Sequence, residues 1–470
     1  MSSTIPQNLE LLKNFFDLLK EYGSLFKQKR TFLRVVDLVL GEIFVFARHT
    51  ISQIIMTLGR NEEDWTAWYR LFSRERFPYA KVRDLLLRQV LAVYGEVDLL
   101  VVAGDSTQTP RSSRKMEGSG WLRNLRTPPF MLGIHAAQRW FHGAVLLPEA
   151  QSYSRALPLY WEPAFTPKSK PKAHEPCTEA EAALKFLTWL KQQLKQLGRA
   201  KQPLLMVADG AYDNLKLWQN LPQGVILLAR SAKNRVLYHL PQAEKQQKRG
   251  RHLLYGERAK SPQALWREKK GWRKLEIKVR AKLRHLQYRL QVPVLRKGAA
   301  NSPLVLIIVR GKSNARIRRE PLPFLVTAVQ NEGGEWLLPL PIETLVFWAW
   351  QRWEIEVVHR ELKSNFGLGE KQCWQPKAAV LSVQWSAWLY ALLLLAGYQT
   401  WGLAAPAPVP SRWWRGAPRW SLNTLWRAYR ACLWGEHEFR PLYSRTRGNW
   451  LEKDDFLQAL GNSIFAAARS

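Results

Sequence analysis

Apolar residues recur at helical spacing through the first part of the chain, from about residue 9 to residue 94. The two clearest stripes are Leu11, Leu12, Phe15, Phe16, Leu19 and Leu33, Val36, Leu38, Leu40, Ile43, Phe44. This periodicity predicts an all-helical N-terminal region with Lys and Arg on its other faces. DNA binding and simple helix packing explain such a region equally well, and no convincing helix-turn-helix pattern is present.

The pattern then changes to short apolar runs that are typical of strands. Residues 97–103 are rich in β-branched side chains and predict a buried strand, which Asp105 follows. Residues 130–136 and 140–147 predict two more strands, joined as a hairpin by a few polar residues.

A helix and another strand come next along the chain. Thr178 and Glu181 form a capping box, which predicts the start of a helix. Residues 203–208 predict a further buried strand, with Asp209 directly after it. Strand, hairpin, helix and strand in this order indicate an α/β fold with a mixed sheet.

Residues 230–320 alternate apolar and polar positions, as in 275–280 and 288–292, which predicts a β-rich insertion with one solvated face. Residues 321–329 return to the buried-strand pattern, and residues 341–368 predict one continuous helix.

An uncharged apolar segment, residues 378–398, is long enough to span a bilayer. Polar residues in its first half and basic flanks on both sides favour a buried helix instead. Residues 402–420 are typical of a linker, and residues 421–468 predict a terminal helical segment. The tryptophans of this tail fit a core, a dimer contact or a DNA platform; they are Trp413, Trp414, Trp420, Trp426 and Trp434.

Charge narrows the choice of partner. The 470 residues include 71 Lys and Arg against 38 Asp and Glu, a formal net charge of +33. A surplus of this size indicates a polyanion, because each cation that neutralises a phosphate releases a condensed counterion. Nucleic acid and anionic membrane are the two candidates. The length predicts about three structural units, and the 46% apolar content excludes a disordered chain.

The three cysteines, Cys177, Cys373 and Cys432, are far apart and odd in number. This argues against a disulfide framework and against a cysteine-based zinc site. A reducing, intracellular setting fits best, and the first residues do not predict a secretory signal.

The basic surplus is concentrated in residues 230–320, which hold 26 Lys and Arg and 5 Asp and Glu. A solvated face would mix both signs, so the one-sided balance favours DNA contact. Trp266 and Trp272 lie among these charges and are candidates for stacking on bases. Packing in a core is the more common role for such residues.

Three acidic residues are candidates for chemistry because of their positions. Asp105 and Asp209 follow predicted buried strands, and Glu356 lies in the helix after the insertion. Each aspartate alone is also explained as a turn or helix cap. Together the three offer the hard oxygen ligands that Mg²⁺ requires. Two such ions support an in-line phosphoryl displacement.

The predicted helix around Glu356 places charged residues on one face. Arg352, Glu356, His359 or Arg360, and Lys363 follow helical spacing, with Ile355, Val358 and Leu362 on the opposite face. A carboxylate between cations suits a metal ligand flanked by phosphate-binding groups. A salt-bridged amphipathic helix explains the same pattern.

Three motifs resemble the acidic motifs of the DDE transposases of bacterial insertion sequences. They are Gly104-Asp105-Ser106-Thr107 with Lys115 downstream, Ala208-Asp209-Gly210-Ala211-Tyr212, and Arg352-x3-Glu356-x6-Lys363. The third is similar to the Tyr-x2-Arg-x3-Glu-x6-Lys signature of one subgroup, with Ala349 at the Tyr position. The resemblance covers about residues 97–369, and that subgroup also has a β-rich insertion before its glutamate.

The resemblance implies an RNase H-like core in which Asp105, Asp209 and Glu356 hold two Mg²⁺ ions, with Mn²⁺ as a substitute. It implies cut-and-paste transposition, in which hydrolysis at the element's end frees a 3′-OH that joins target DNA. Arg352 and Lys363 would hold phosphates, and Lys115 and Trp272 are further DNA-binding candidates. The expected partners are double-stranded DNA, with terminal inverted repeats and target sites, and a second copy in a homodimer. We expect a cytoplasmic, nucleoid-associated protein with no membrane contact.

The predicted organisation has four parts. Residues 1–95 form a helical DNA-binding or dimer region, and residues 96–229 with 321–400 form the catalytic core. Residues 230–320 form the basic insertion, and residues 401–470 form a Trp-rich linker with a helical C-terminal region. Two alternatives stay open: a domesticated, non-cleaving DNA-binding protein derived from a transposase, and a basic membrane protein that uses residues 378–398 as its span.

Overall fold

The computed structural model describes most of the chain. The described residues are 5–95, 98–124, 127, 131, 133–148, 152–241, 252–311, 320–403 and 419–435. Part of the predicted hairpin (residues 130 and 132), most of the predicted linker, and the predicted helix beyond residue 435 lie outside these ranges, as do Trp413 and Trp414.

The N-terminal region is helical, as the apolar periodicity predicted. Its helices are α1 (Ile5–Glu21), α2 (Lys29–Phe44), α3 (Ile51–Thr57), α4 (Thr66–Ser73) and α5 (Tyr79–Tyr94). The other helices are α6 (Glu179–Gln196), α7 (Leu215–Asn220), α8 (Pro262–Arg267), α9 (Ile342–Gln351), α10 (Glu354–Ser364), α11 (Pro376–Trp401) and α12 (Leu422–Gly435). Short 3₁₀ turns lie at Tyr22–Leu25, Pro167–Ser169 and Gly210–Tyr212.

A mixed sheet of 11 strands runs through the molecule in the order β2-β3-β1-β5-β6-β11-β10-β9-β7, with β4 paired to β3 and β8 to β9. Its first strands are β1 (Leu100–Pro110), β2 (Gly120–Arg123), β3 (Ile134–Leu146), β4 (Ala156–Pro163), β5 (Leu204–Ala208) and β6 (Val225–Arg230). The others are β7 (Leu237–Tyr238), β8 (Arg273–Val279), β9 (Lys282–Arg296), β10 (Ala299–Gly311) and β11 (Leu322–Thr327). A separate pair joins β12 (Val329–Gln330) to β13 (Trp336–Leu337).

The α/β prediction is confirmed, since parallel pairs β1–β5 and β5–β6 are combined with antiparallel neighbours. The capping box is present as well: the Thr178 hydroxyl accepts from the Glu181 N–H, and the Glu181 carboxylate accepts from the Thr178 N–H. The β-rich insertion continues the core sheet, because β11 pairs with both β6 and β10.

Two strand predictions were wrong in their limits. The first strand continues past its apolar run to Pro110, because its polar half still pairs with β3, and Asp105 therefore lies inside β1. The two strands predicted as a hairpin are one continuous strand, β3, in which polar Gln138 and Arg139 pair with β1 like their apolar neighbours.

The helix predicted over residues 341–368 is interrupted at Arg352 and Trp353, which separate α9 from α10. Hydrogen bonding tightens there from the α-helical to the 3₁₀ type: the Ile355 N–H donates to the Arg352 carbonyl, and the Glu356 N–H donates to the Trp353 carbonyl. The prediction of one continuous helix was therefore wrong.

Helix α11 is long and apolar enough to cross a membrane, yet its apolar window is entirely buried inside the fold. Helices α1, α4 and α5 and strand β4 pack around it. The structure therefore agrees with the buried-helix interpretation. In the described part of the tail, Trp420 and Trp426 are buried and belong to the same core.

Leu389→Ala should destabilise the protein by about 3 kcal/mol, because Leu389 is fully buried in α11 and its truncation leaves a cavity. Urea unfolding measures the difference. Leu283→Ala is the matched control, since Leu283 is 57% exposed and its loss should cost little. Equal stability of the two variants would contradict a core role for α11.

Candidate active site

Two aspartates come together through the parallel pairing of β1 with β5. In this register Gly104 lies opposite Ala208, so Asp105 and Asp209, the residues that follow them, are neighbours across the two strands. Space is tight here, because a Cβ on Gly104 would clash with the Met206 methyl group. A side chain at this position would require the Met206 side chain to move.

Each aspartate also caps local backbone, as the alternative interpretation predicted. Asp105 Oδ1 accepts a hydrogen bond from the Ser106 N–H at 2.8 Å. Asp209 Oδ1 accepts one from the Ala211 N–H at 2.9 Å, at the start of a 3₁₀ turn. These bonds fix the orientation of both carboxylates, so capping and a place in the site are compatible.

Arg352 connects the third carboxylate to the first. Its Nη2 lies 2.6 Å from Glu356 Oε1, and its Nη1 lies 3.7 Å from Asp105 Oδ2. The predicted shared face of Arg352 and Glu356 is therefore formed across the break between α9 and α10. On the opposite face Ile355, Val358 and Leu362 are buried, as predicted.

Burial and charge repulsion make Asp105 an unusual carboxyl group. Burial first, and then the charge of Asp209, raise the pKa of Asp105 to about 7; Arg352 opposes the rise and Glu356 adds to it. The charges of Asp209 and Glu356 therefore both act on Asp105. Like charges around a largely buried carboxylate favour binding of a cation.

The donor set fits Mg²⁺, because carboxylate oxygens are hard ligands. Over the described residues, however, no group of three or more His, Cys, Asp or Glu side chains is arranged to hold a metal ion. The Arg352 guanidinium instead interacts with both Asp105 and Glu356. Binding of a divalent ion would therefore require Arg352 to release these carboxylates.

A buried histidine pair that the sequence pattern did not predict lies beneath the carboxylates. His142 is the cross-strand partner of Asp105, and its Nδ1 lies 3.0 Å from His359 Nε2. Burial lowers the pKa of His359 to about 3, with the charges of Lys363 and Arg352 contributing, and burial also lowers the pKa of His142. Both rings are therefore neutral at pH 7. The Trp161 ring stacks on the His142 ring, with 4.6 Å between the ring centroids.

A second buried carboxylate, Glu354, fixes the start of α10. It is 2% exposed and binds Arg280 at 2.8 Å and Arg419 at 3.1 Å. Arg280 lies in the turn between β8 and β9, and its N–H donates to the Ser152 carbonyl. The basic insertion is thus attached to the helix that carries Glu356. The sequence pattern identified Glu356 by its spacing from Arg352 and Lys363 but did not predict a role for Glu354.

Three further residues were predicted to bind DNA: Lys115, Lys363 and Trp272. Lys115 is exposed in the segment between β1 and β2, and Lys363 is partly buried in the last turn of α10. The Trp272 indole N–H donates to the Glu268 carbonyl, and the Arg310 guanidinium lies 3.8 Å from the ring centroid. Contact of these residues with DNA stays a prediction.

Comparison with known protein families identifies a match to the chain. The model of the DDE superfamily endonuclease family matches residues 15–292, more than half of the chain. The matched span contains Asp105 and Asp209 and ends before Glu356. No curated protein matches the chain.

Asp105→Asn should stabilise the metal-free protein at pH 8 and have a smaller effect at pH 5. The ordinary pKa of an Asp carboxyl is 3.8, and burial and repulsion raise the pKa of Asp105 to about 7 in the folded protein. The folded state therefore binds the proton more tightly than the unfolded state. Wild-type stability is therefore lost as the pH rises from about 4 to about 7, and a neutral side chain avoids that loss.

Urea unfolding in the presence of a chelator, at both pH values, measures this effect. Asp98→Asn is the control, because Asp98 is exposed two residues before β1. A gain in stability of Asp105→Asn that is equal at pH 5 and pH 8, or absent at both, would contradict the repulsion proposed at Asp105.

Proposed function

We propose that this chain, which belongs to the DDE superfamily endonucleases, is a DNA transposase that moves an insertion sequence by a cut-and-paste reaction. The observation that carries the proposal is the position of Asp105 beside Asp209, with Glu356 connected to Asp105 through Arg352. The reaction would cut the element's ends by hydrolysis. The DNA end that carries the freed 3′-OH would then be joined to target DNA.

Asp105, Asp209 and Glu356 would hold two Mg²⁺ ions, with Mn²⁺ as a substitute. Bound Mg²⁺ activates the attacking oxygen and stabilises the leaving one. Arg352 would leave Glu356 and Asp105 and bind a phosphate beside the cleaved bond, for which its planar guanidinium is suited. Lys363 would bind a second phosphate.

The neutral histidines support the site without carrying charge. His142 in β3 contacts His359 in α10 and lies opposite Asp105 in the sheet, so the pair joins the strand next to Asp105 to the helix that carries Glu356. Because both rings are buried, they would keep water out from beneath the carboxylates. Glu354 would hold the start of α10 in place through Arg280 and Arg419.

The basic insertion would bind the DNA that is being cut. Its strands continue the sheet that contains β1 and β5, and its β8–β9 turn contacts α10 through Arg280. The exposed cations of β8 alternate with the buried Leu275 and Ile277, which places Lys274 and Lys278 on the solvated face. A homodimer would bring the two ends of the element together in the cytoplasm.

Glu356→Gln should bind DNA that carries the terminal inverted repeats but fail to cut it, because the amide removes a metal-ligand charge. Cleavage of end-labelled duplex with Mg²⁺ and joining to target DNA are the measurements, with binding followed by anisotropy. Glu343→Gln is the control, since Glu343 is an exposed carboxylate of α9.

Cleavage by Glu356→Gln at the rate of the control would contradict the role of Glu356. Binding by the wild type without any cleavage of correct ends would favour the domesticated, non-cleaving DNA-binding protein instead.

Replacing Lys274, Lys278 and Lys282 by Gln should weaken DNA binding and reduce its salt dependence. Each phosphate contact contributes about 0.9 to the slope of log K against log salt, so three lost contacts lower the slope by about 2.7. Gln at Lys13, Lys195 and Lys201, which are also exposed, is the charge-matched control. An unchanged slope in the insertion variant would place the DNA on another surface.

A further inference from the structure

The short strand β2 forms one edge of the large sheet and exposes an aromatic side chain. Trp121 in this strand is 59% exposed, and the Arg114 guanidinium lies 5.6 Å from its ring centroid. Arg123 is exposed two residues further along, and therefore on the same face of the strand as Trp121. An arginine over a large exposed ring, beside a second arginine, makes a flat cationic surface.

A lysine-rich loop is fixed against this strand by a buried carboxylate. The Glu117 side chain accepts hydrogen bonds from the backbone N–H groups of Lys172, Ala173 and His174, at 2.8 to 3.2 Å. The 3₁₀ turn at Pro167–Ser169 packs on β2. This anchoring holds the loop lysines close to β2 and keeps the charge of Glu117 buried.

The resulting surface is mainly positive. Within the described structure, the exposed charged side chains of residues 112–124 and 166–174 are all positive, and the exposed Glu175 lies at the end of the loop. We call it the sheet-edge patch, and it consists of Arg114, Trp121, Arg123, Lys168, Lys170 and Lys172. A mainly cationic surface with an exposed aromatic ring is complementary to a nucleic-acid backbone.

The sheet-edge patch faces the same side of the sheet as the candidate site. On β3, Trp121 pairs with Ala136 and Asp105 pairs with His142. These partners are separated by an even number of residues, so the Trp121 and Asp105 side chains lie on the same face. The two positions are six residues apart along the strand direction and two strand spacings apart across the sheet. This gives a separation of about 22 Å between Trp121 and Asp105. That distance corresponds to about six base pairs of duplex.

The backbone that supports the patch is also attached to the segment after α10. The Arg111 guanidinium donates to the carbonyls of Gly369 and Lys371, and the Ser112 hydroxyl donates to Gln372. The segment that carries Arg114 is therefore hydrogen-bonded to the segment that follows α10, the helix of Glu356 and Lys363. These hydrogen bonds attach the backbone of the patch to the segment after α10.

We propose that the sheet-edge patch binds double-stranded DNA about six base pairs from the bond that is cut. This inference rests on the proposed function for the position of that bond. The lysines contact phosphates, and Trp121 packs on the sugar-phosphate backbone with Arg114 over its ring. The patch and the basic insertion lie on opposite sides of the β1–β5 junction in the strand order, so they hold the duplex on both sides of the site.

The test uses the full chain carrying Glu356→Gln, so that binding is measured without cutting. Gln at Lys168, Lys170 and Lys172 should lower the salt slope of duplex binding by about 2.7. The control with Lys13, Lys195 and Lys201 replaced should keep the slope. Trp121→Ala should weaken binding about fivefold, while Trp121→Phe, which keeps a ring, should recover most of that loss.

Hydroxyl-radical footprinting of the same complexes locates the contact. Protection centred about six base pairs from the cleavage point, lost in the lysine variant and kept in the control, would support the patch. Unchanged protection, an unchanged salt slope, or a lysine variant impaired only on anionic lipid vesicles would overturn it. If one of these results overturns the patch but the wild type still cleaves DNA, the proposed function holds. If the wild type does not cleave DNA, the proposed function is refuted independently of the patch.

Discussion

Parallel pairing of β1 with β5 is the constraint on which the candidate site depends. It fixes Gly104 opposite Ala208 and so brings Asp105 beside Asp209. A slip of one residue would turn Asp105 to the other face of the sheet, away from Arg352. The pairing is strong because the apolar parts of both strands are buried on both faces, and the close approach at Gly104 leaves no room for a side chain. Packing energy from the core thus maintains an electrostatically unfavourable pair of carboxylates.

The basic side chains near the site offset that repulsion in two different ways. Arg352 lies between Asp105 and Glu356, where its positive charge partly offsets the repulsion between the two carboxylates. Arg280 and Arg419 instead neutralise Glu354, a neighbouring carboxylate that faces the interior. Two glutamates two residues apart therefore have different environments: Glu356 is one-third exposed and Glu354 is buried. Because both lie in α10, their spacing of two residues places them on different sides of the helix.

Much of this arrangement could be predicted from sequence, because local patterns encode it. The apolar run before Asp209, the Thr178 capping box and the spacing from Arg352 to Glu356 are all short-range features. The errors arose where the local pattern does not decide the structure. Residues 105–110 continue a strand because β3 pairs with them, and α9 and α10 separate although no Gly or Pro lies between them. The His142–His359 contact and the sheet-edge patch join segments that are distant in sequence, so no single-chain pattern reveals them.

The position of β11 also affects how the chain is made. Residue 230 at the end of β6 pairs with residue 324 in β11, and the whole basic insertion is synthesised between them. At about 5–20 residues per second, a ribosome needs roughly 5–19 s to cover that interval. During this time β6 is the unpaired edge of a half-built sheet, and its apolar residues are open to pairing with other nascent chains. Slow translation through the insertion would therefore lengthen the period in which the newborn protein is prone to aggregate.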